Sequence, residues 1–169
     1  LCYMYRIAFT GGGTGGHIYP GLAIAQELQK QCPCHIIWIG NKDGMDRQIV
    51  ESVGIEFFGI PTGKLRRYFS LKNVTDLFNI AGGFFAARKI LVSLKPDLLF
   101  SKGGFVSVPP CAAAASLGIP VFSHESDYTP GLATKLNLPF SRRIFTAYSD
   151  TISMLGEKYR EQAQAVGNP

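Results

Sequence analysis

Two glycine-rich turns constrain this 169-residue chain more than any other feature: Gly11-Gly12-Gly13-Thr14-Gly15-Gly16-His17 and Ser101-Lys102-Gly103-Gly104-Phe105. Each follows a short apolar run that reads as a buried strand, and each leads into a helical pattern. A strand, a glycine turn and a helix start together make an anion site. Glycine lets the backbone pass close to a ligand, and the first helical turn carries unpaired N–H groups that point at it. One such turn is common. Two in one small domain point to a ligand with more than one phosphate, or to two phosphorylated substrates meeting in one cleft.

The rest of the pattern supplies a frame for these turns. Short β-branched or aromatic runs predict strands over 3–10, 35–40, 55–60, 97–101, 119–123 and 143–147. Between them, helical spacing predicts helices over 18–31, 43–53, 71–94, 106–117, 129–138 and 149–158, with Pro20 in the first turn of the first one. Alternating strands and helices predict an α/β fold, a Rossmann-like doubly wound parallel sheet. Ligands of such sheets bind beyond the carboxyl ends of the strands. Both glycine turns lie there, as does His124-Glu125-Ser126-Asp127 after the fifth predicted strand.

Hydrophobic residues make up 46% of the chain and charged ones 17%, which favours a globular fold and argues against disorder. The net charge of +5 suits phosphate-bearing ligands, anionic lipid or nucleic acid. Of the four cysteines only Cys32-Pro33-Cys34 form a close pair, and no further ligands stand at zinc spacing, so free thiols and no metal are expected. No leader segment or membrane span is read, because Pro109-Pro110, Gly118 and Pro120 break the most apolar stretch. A soluble or peripheral cytoplasmic protein is therefore expected.

Gly11-x-Gly13-x-x-Gly16 also fits the dinucleotide fingerprint. That fingerprint requires an acidic residue at the end of the second strand, where Gly40-Asn41-Lys42 stands and Asp43 comes too late. In the first turn, the Thr14 hydroxyl and the N–H groups of Thr14, Gly15 and Gly16 can meet an oxyanion. His17 at the helix start is placed either to act as a base or to cap the helix.

Taken together, Gly12-Gly13-Thr14-Gly15-Gly16-His17, Pro20, Ser101-Lys102-Gly103-Gly104-Phe105-Val106-Ser107, His124-Glu125 and Gly167-Asn168-Pro169 resemble glycosyltransferase family 28, and within it the N-acetylglucosaminyltransferases of peptidoglycan synthesis. The resemblance covers essentially the whole chain. It implies the amino-terminal half of a two-domain GT-B enzyme, with residues 1–166 as the acceptor-binding domain and 167–169 as the start of the interdomain linker. The implied reaction is inverting transfer of N-acetylglucosamine from UDP-GlcNAc to lipid I, giving lipid II, without a cofactor. It also implies that Thr14, Gly15, Gly16 and Asp127 face the donor, and that Gly12, Gly13, Lys102, Gly103 and Gly104 cradle the acceptor diphosphate. His17 is the first candidate for the base and Glu125 the second, with a loop-orienting carboxylate as the other reading of Glu125. One departure is visible: the common family pattern His-Glu-Gln-Asn is here His124-Glu125-Ser126-Asp127, and Asp127 can accept from sugar hydroxyls but not donate. Another lipid-directed transferase of the same family, or a binding subunit serving a separate catalytic chain, fits the same motifs.

Between residues 64 and 89 lie Lys64, Arg66, Arg67, Lys72 and Arg88, interleaved with Phe69, Leu77, Phe78, Phe84 and Phe85. An apolar patch rimmed by cations is expected to dock on an anionic inner-leaflet surface, which a membrane-embedded acceptor requires. That places the protein on the cytoplasmic face of the cell membrane. The other reading is a core helix with a solvated basic edge. Nucleic acid is not expected as a partner, because the aromatics are mostly Phe at helical spacing and not a stacking platform on strands.

Overall fold

The computed structural model describes residues 2–63 and 72–169, with the backbone alone at 72 and 73. Seven parallel strands form one sheet in the order β3-β2-β1-β4-β5-β6-β7. They are β1 (Tyr5–Thr10), β2 (Cys34–Asn41), β3 (Glu56–Ile60), β4 (Leu98–Ser101), β5 (Val121–Glu125), β6 (Arg143–Thr146) and β7 (Ala163–Ala165). The helices are α1 (Gly15–Gln31), α2 (Asp46–Ser52), α3 (Lys72–Leu94), α4 (Val108–Ser116), α5 (Leu132–Asn137) and α6 (Ser149–Met154).

Side chains of a strand alternate between faces, so a sheet covered on both sides builds two cores. Ile7, Phe9, Ile36 and Trp38 pack on one face against Ile18, Leu22 and Ala25 of α1 and Val50 of α2. Ala8, Ile37, Ile39 and Leu99 pack on the other against Ala87 and Leu91 of α3 and Ala113 and Ala114 of α4. Each large apolar side chain buried this way stabilises the fold by about 1.5–3 kcal/mol.

Three sequence expectations need correction. α1 starts at Gly15, because the end of the glycine turn is itself helical, so Pro20 lies inside the helix and not in its first turn. Gly16 then has no N–H donor four residues on, and it is an exposed residue. The fifth strand runs two residues further than its apolar run, so His124 and Glu125 pair with Phe145 and Thr146 of β6 and do not sit in the loop. The segment after α6 adds a seventh, edge strand that three residues, Ala-Gln-Ala, are too short to announce.

Chain order reverses between β1 and β4, and this is the switch point where open α/β sheets hold ligands. The register there pairs Thr10 with Ser101. The two glycine turns therefore leave the sheet at the same level, side by side.

Candidate functional site

The first turn is fastened from below. The Trp38 indole, fully buried and stacked on Phe9 with ring centroids 5.7 Å apart, donates its N–H to the Gly11 carbonyl at 3.0 Å. The Asp46 carboxylate accepts from the backbone N–H of Gly13 at 3.3 Å and of Asn41 at 2.9 Å. The second turn leans on the first. A Cβ on Gly104 would lie 2.5 Å from the Gly12 carbonyl oxygen, and Gly104 has φ +80. Only glycine satisfies both the contact and the conformation. The Ser107 hydroxyl donates to the Gly104 carbonyl at 2.6 Å and accepts from the Asn137 amide at 2.9 Å, which ties the turn to α5.

His17 stands between the turns. Its ring passes 3.6 Å, at Nδ1, from where a Cβ on Gly103 would be, and 3.2 Å, at Cδ2, from the same position on Gly104. A cleft of about 530 Å³ opens here. Its walls include Gly12, Gly13, Thr14 and His17 from the first turn, Gly104 and Phe105 from the second, and Glu125 and Asp127 from the β5 loop. Thr14 precedes α1 without capping it through its side chain, which leaves the hydroxyl to the cleft. Gly15, Gly16 and Gly103 adjoin the lining in sequence but are not part of it.

Two of the predicted site residues are engaged within the fold. The Glu125 carboxylate accepts from the Asp127 N–H at 2.9 Å, the Gly131 N–H at 3.1 Å and the Thr134 hydroxyl. With three donors on two oxygens it braces its own loop, in line with the loop-orienting reading of this carboxylate. Lys102 does not reach into the cleft. It is 1% exposed, and its ammonium faces His124 Nδ1 at 2.9 Å and the Ser126 hydroxyl. Burial pulls the Lys102 ammonium down to about 8, while Glu125 and Asp127 work in the opposite direction. His124 passes the contact on, donating from Nε2 to the Gly167 carbonyl at 2.9 Å. Burial first, and then the charge of Lys102, push His124 below its ordinary value, which favours the neutral ring this arrangement needs.

Sequence reasoning missed Asn41, Thr62, Leu132 and Thr134 as cleft residues, and Asp46 as its floor. None carries a local motif. Only the pairing of distant segments brings them to the site.

The long helix α3 turns one stripe to solvent. Leu77 is 66%, Phe78 73% and Phe85 68% exposed, with Val74 and Arg88 on the exposed side as well. Phe84 turns the other way and packs on the core. By length and composition Val74–Leu94 is apolar enough to cross a membrane. Ala87 and Leu91, fully buried against the sheet, make it a surface helix of this domain. Lys64, Arg66, Arg67 and Phe69, and the side chain of Lys72, lie outside the described residues.

The profile of the glycosyltransferase family 28 N-terminal domain matches residues 7–146. A protein of Treponema denticola named UDP-N-acetylglucosamine--N-acetylmuramyl-(pentapeptide) pyrophosphoryl-undecaprenol N-acetylglucosamine transferase is 53% identical over 174 residues, covering 98% of this chain and 44% of that protein. One of the same name from Shouchella clausii is 51% identical over 166 residues, covering 98% and 46%. The chain thus spans less than half the length of these relatives. Among solved structures, MurG of Acinetobacter baumannii superposes with a TM-score of 0.80 at 25% identity, over 98% of this chain and 45% of that one. A UDP-GlcNAc 2-epimerase from Neisseria meningitidis shares the fold, with a TM-score of 0.68 at 15% identity over 98% and 46%. With the fold, both glycine turns and the match over most of its length in agreement, this chain belongs to glycosyltransferase family 28 and forms the amino-terminal domain of that family.

Proposed function

We propose that this domain receives the lipid acceptor in an inverting N-acetylglucosaminyl transfer from UDP-GlcNAc to lipid I, the step that gives lipid II in peptidoglycan synthesis. The observation that carries the reading is the contact of the two glycine turns at the switch point, with His17 between them. Residues 1–166 form the acceptor domain, and 167–169 lead to a carboxyl-terminal half that holds the nucleotide. The lengths and names of the relatives support this division.

Inverting transfer needs a base on the acceptor hydroxyl and stabilisation of the departing diphosphate. His17 takes the proton as the hydroxyl oxygen bonds to the sugar's anomeric carbon. UDP leaves from the opposite face with the bonding electron pair, so the α-linked donor yields a β-linked product. The Thr14 hydroxyl and the N–H groups at Gly15 and Gly16 serve the donor side, and Asp127 accepts from sugar hydroxyls. Gly103 and Gly104 cradle the acceptor diphosphate, bordered by Gly12 and by Gly13, whose own N–H is already taken by Asp46. The exposed stripe of α3 rests on the anionic cytoplasmic face of the membrane, where a lipid-linked acceptor is found.

The test is an assay of the complete chain with UDP-GlcNAc and a lipid I analogue. A β-linked disaccharide product is expected. His17→Ala should slow the chemical step by roughly a hundredfold or more with donor affinity nearly unchanged. Turnover only with another sugar nucleotide and lipid would overturn the substrate assignment. An unchanged rate in the variant would remove His17 from the mechanism.

A further inference from the structure

We infer that Asp46 is a positioning residue, whose buried carboxylate locks the first glycine turn into the shape that the transfer reaction uses; this rests on the transferase reading above.

Asp46 opens α2, where an acidic side chain ordinarily faces solvent or caps its own helix. Here it does neither. It is 1% exposed, and α2 has no side-chain cap. Its carboxylate reaches back 33 residues to the N–H of Gly13, while its other oxygen holds the N–H of Asn41 at the end of β2. No ion pair among the described residues involves it. A buried carboxylate is costly unless donors meet it, and here the donors are the backbone of the site itself.

The space it fills exists because two side chains are absent. A Cβ on Gly12 would lie 2.1 Å from Asp46 Oδ2, and one on Gly40 3.1 Å from the same atom. Those glycines are needed to admit the carboxylate as much as to admit a ligand. Drawing the Gly13 N–H inward fixes the peptide that follows Gly12. The Gly12 carbonyl is thereby held at the wall where Gly104 abuts, and the next residues, Thr14 to His17, are set into the cleft. Asp46 does not itself line the cleft, so its influence runs through the backbone of the lining residues Gly13 and Asn41.

The test compares Asp46→Asn and Asp46→Glu in the complete transferase chain. The amide keeps the size but turns a donor toward one of the two backbone N–H groups, whereas Glu keeps both acceptor oxygens. Hydrogen exchange at the Gly13 and Asn41 amides should quicken about tenfold or more in D46N. Its kcat should fall roughly thirtyfold or more, with the KM for either substrate within about threefold, because small misplacements of catalytic groups cost rate rather than binding. D46E should recover most of both readouts. A kcat within about twofold of wild type in D46N, despite fast Gly13 exchange, would overturn the proposal, and so would equal losses in D46E and D46N. If D46N does not fold, Gly12→Ala presses on the same carboxylate from the cleft side. It should show fast Gly13 exchange and a loss of kcat, and a retained kcat there would overturn the inference. Should the wild-type chain not transfer N-acetylglucosamine to the lipid I analogue, the transferase reading fails. The exchange comparison then still decides whether Asp46 holds the turn: equal Gly13 exchange in wild type and D46N would overturn it.

Discussion

Lys102 costs the fold stability as long as it carries its proton. That proton is held more weakly in the folded chain, at about 8, than at its ordinary value near 10.5, because burial penalises the ammonium. Below about pH 8 both states are protonated and the penalty is full. Between about 8 and 10.5 the unfolded chain binds more protons, so stability rises with pH across that window, by at most about 3 kcal/mol. Denaturant unfolding of wild type and Lys102→Met at both ends of the window should show wild type gaining relative to the variant by up to this amount, since the Cys111 thiol, pushed up to about 12 by burial, lowers stability with rising pH equally in both. A wild-type gain no larger than that of the variant would mean that Lys102 titrates near its ordinary value. The glycines of both turns were readable in the sequence because positive φ and close backbone approach are properties of single residues. The inward turn of Lys102 and the reach of Asp46 to Gly13 were not, because each depends on a partner that only the folded sheet brings near.

At the scale of elements, α3 has to satisfy two environments at once. Ala87 and Leu91 are buried on the sheet, while Leu77, Phe78 and Phe85 face outward. An exposed apolar stripe of this kind marks a binding surface. Replacing Leu77 and Phe78 together by Asp should cut sedimentation with phosphatidylglycerol vesicles about tenfold or more, and shift the melting temperature little, since neither side chain is in the core. Unchanged vesicle binding would remove α3 from membrane docking. Ala87→Asp, by contrast, should unfold the domain, because it buries an unpaired charge. Elements with a long apolar period or a bounded β-branched run were legible, α1, α3, β1 and β2 among them. β7 was not, because Ala163–Ala165 has no period and is a strand only through its pairing with β6. The end of β5 was hidden for a related reason: the polar pair His124 and Glu125 reads as loop, and tertiary partners for both side chains are what allow them inside the sheet.

For the whole molecule, the parallel order with reversal between β1 and β4 gathers three loops from distant parts of the chain at one rim. The alternation of strands and helices made the fold class legible, and the two turns made the rim legible as the binding edge. Which donors remain free there was decided by packing. Under the proposed division of labour, the acceptor diphosphate lies against Gly103 and Gly104, and the nucleotide is held chiefly by the other half of the enzyme. The most direct measurement is an NMR titration of the 169-residue chain with a short-chain lipid I analogue and, separately, with UDP-GlcNAc. The predicted result is saturable shifts at the Gly103, Gly104 and Thr14 amides with the lipid analogue, and binding of UDP-GlcNAc weaker by about tenfold or more. Tighter binding of UDP-GlcNAc, or lipid-analogue shifts that leave both glycine turns untouched, would contradict it.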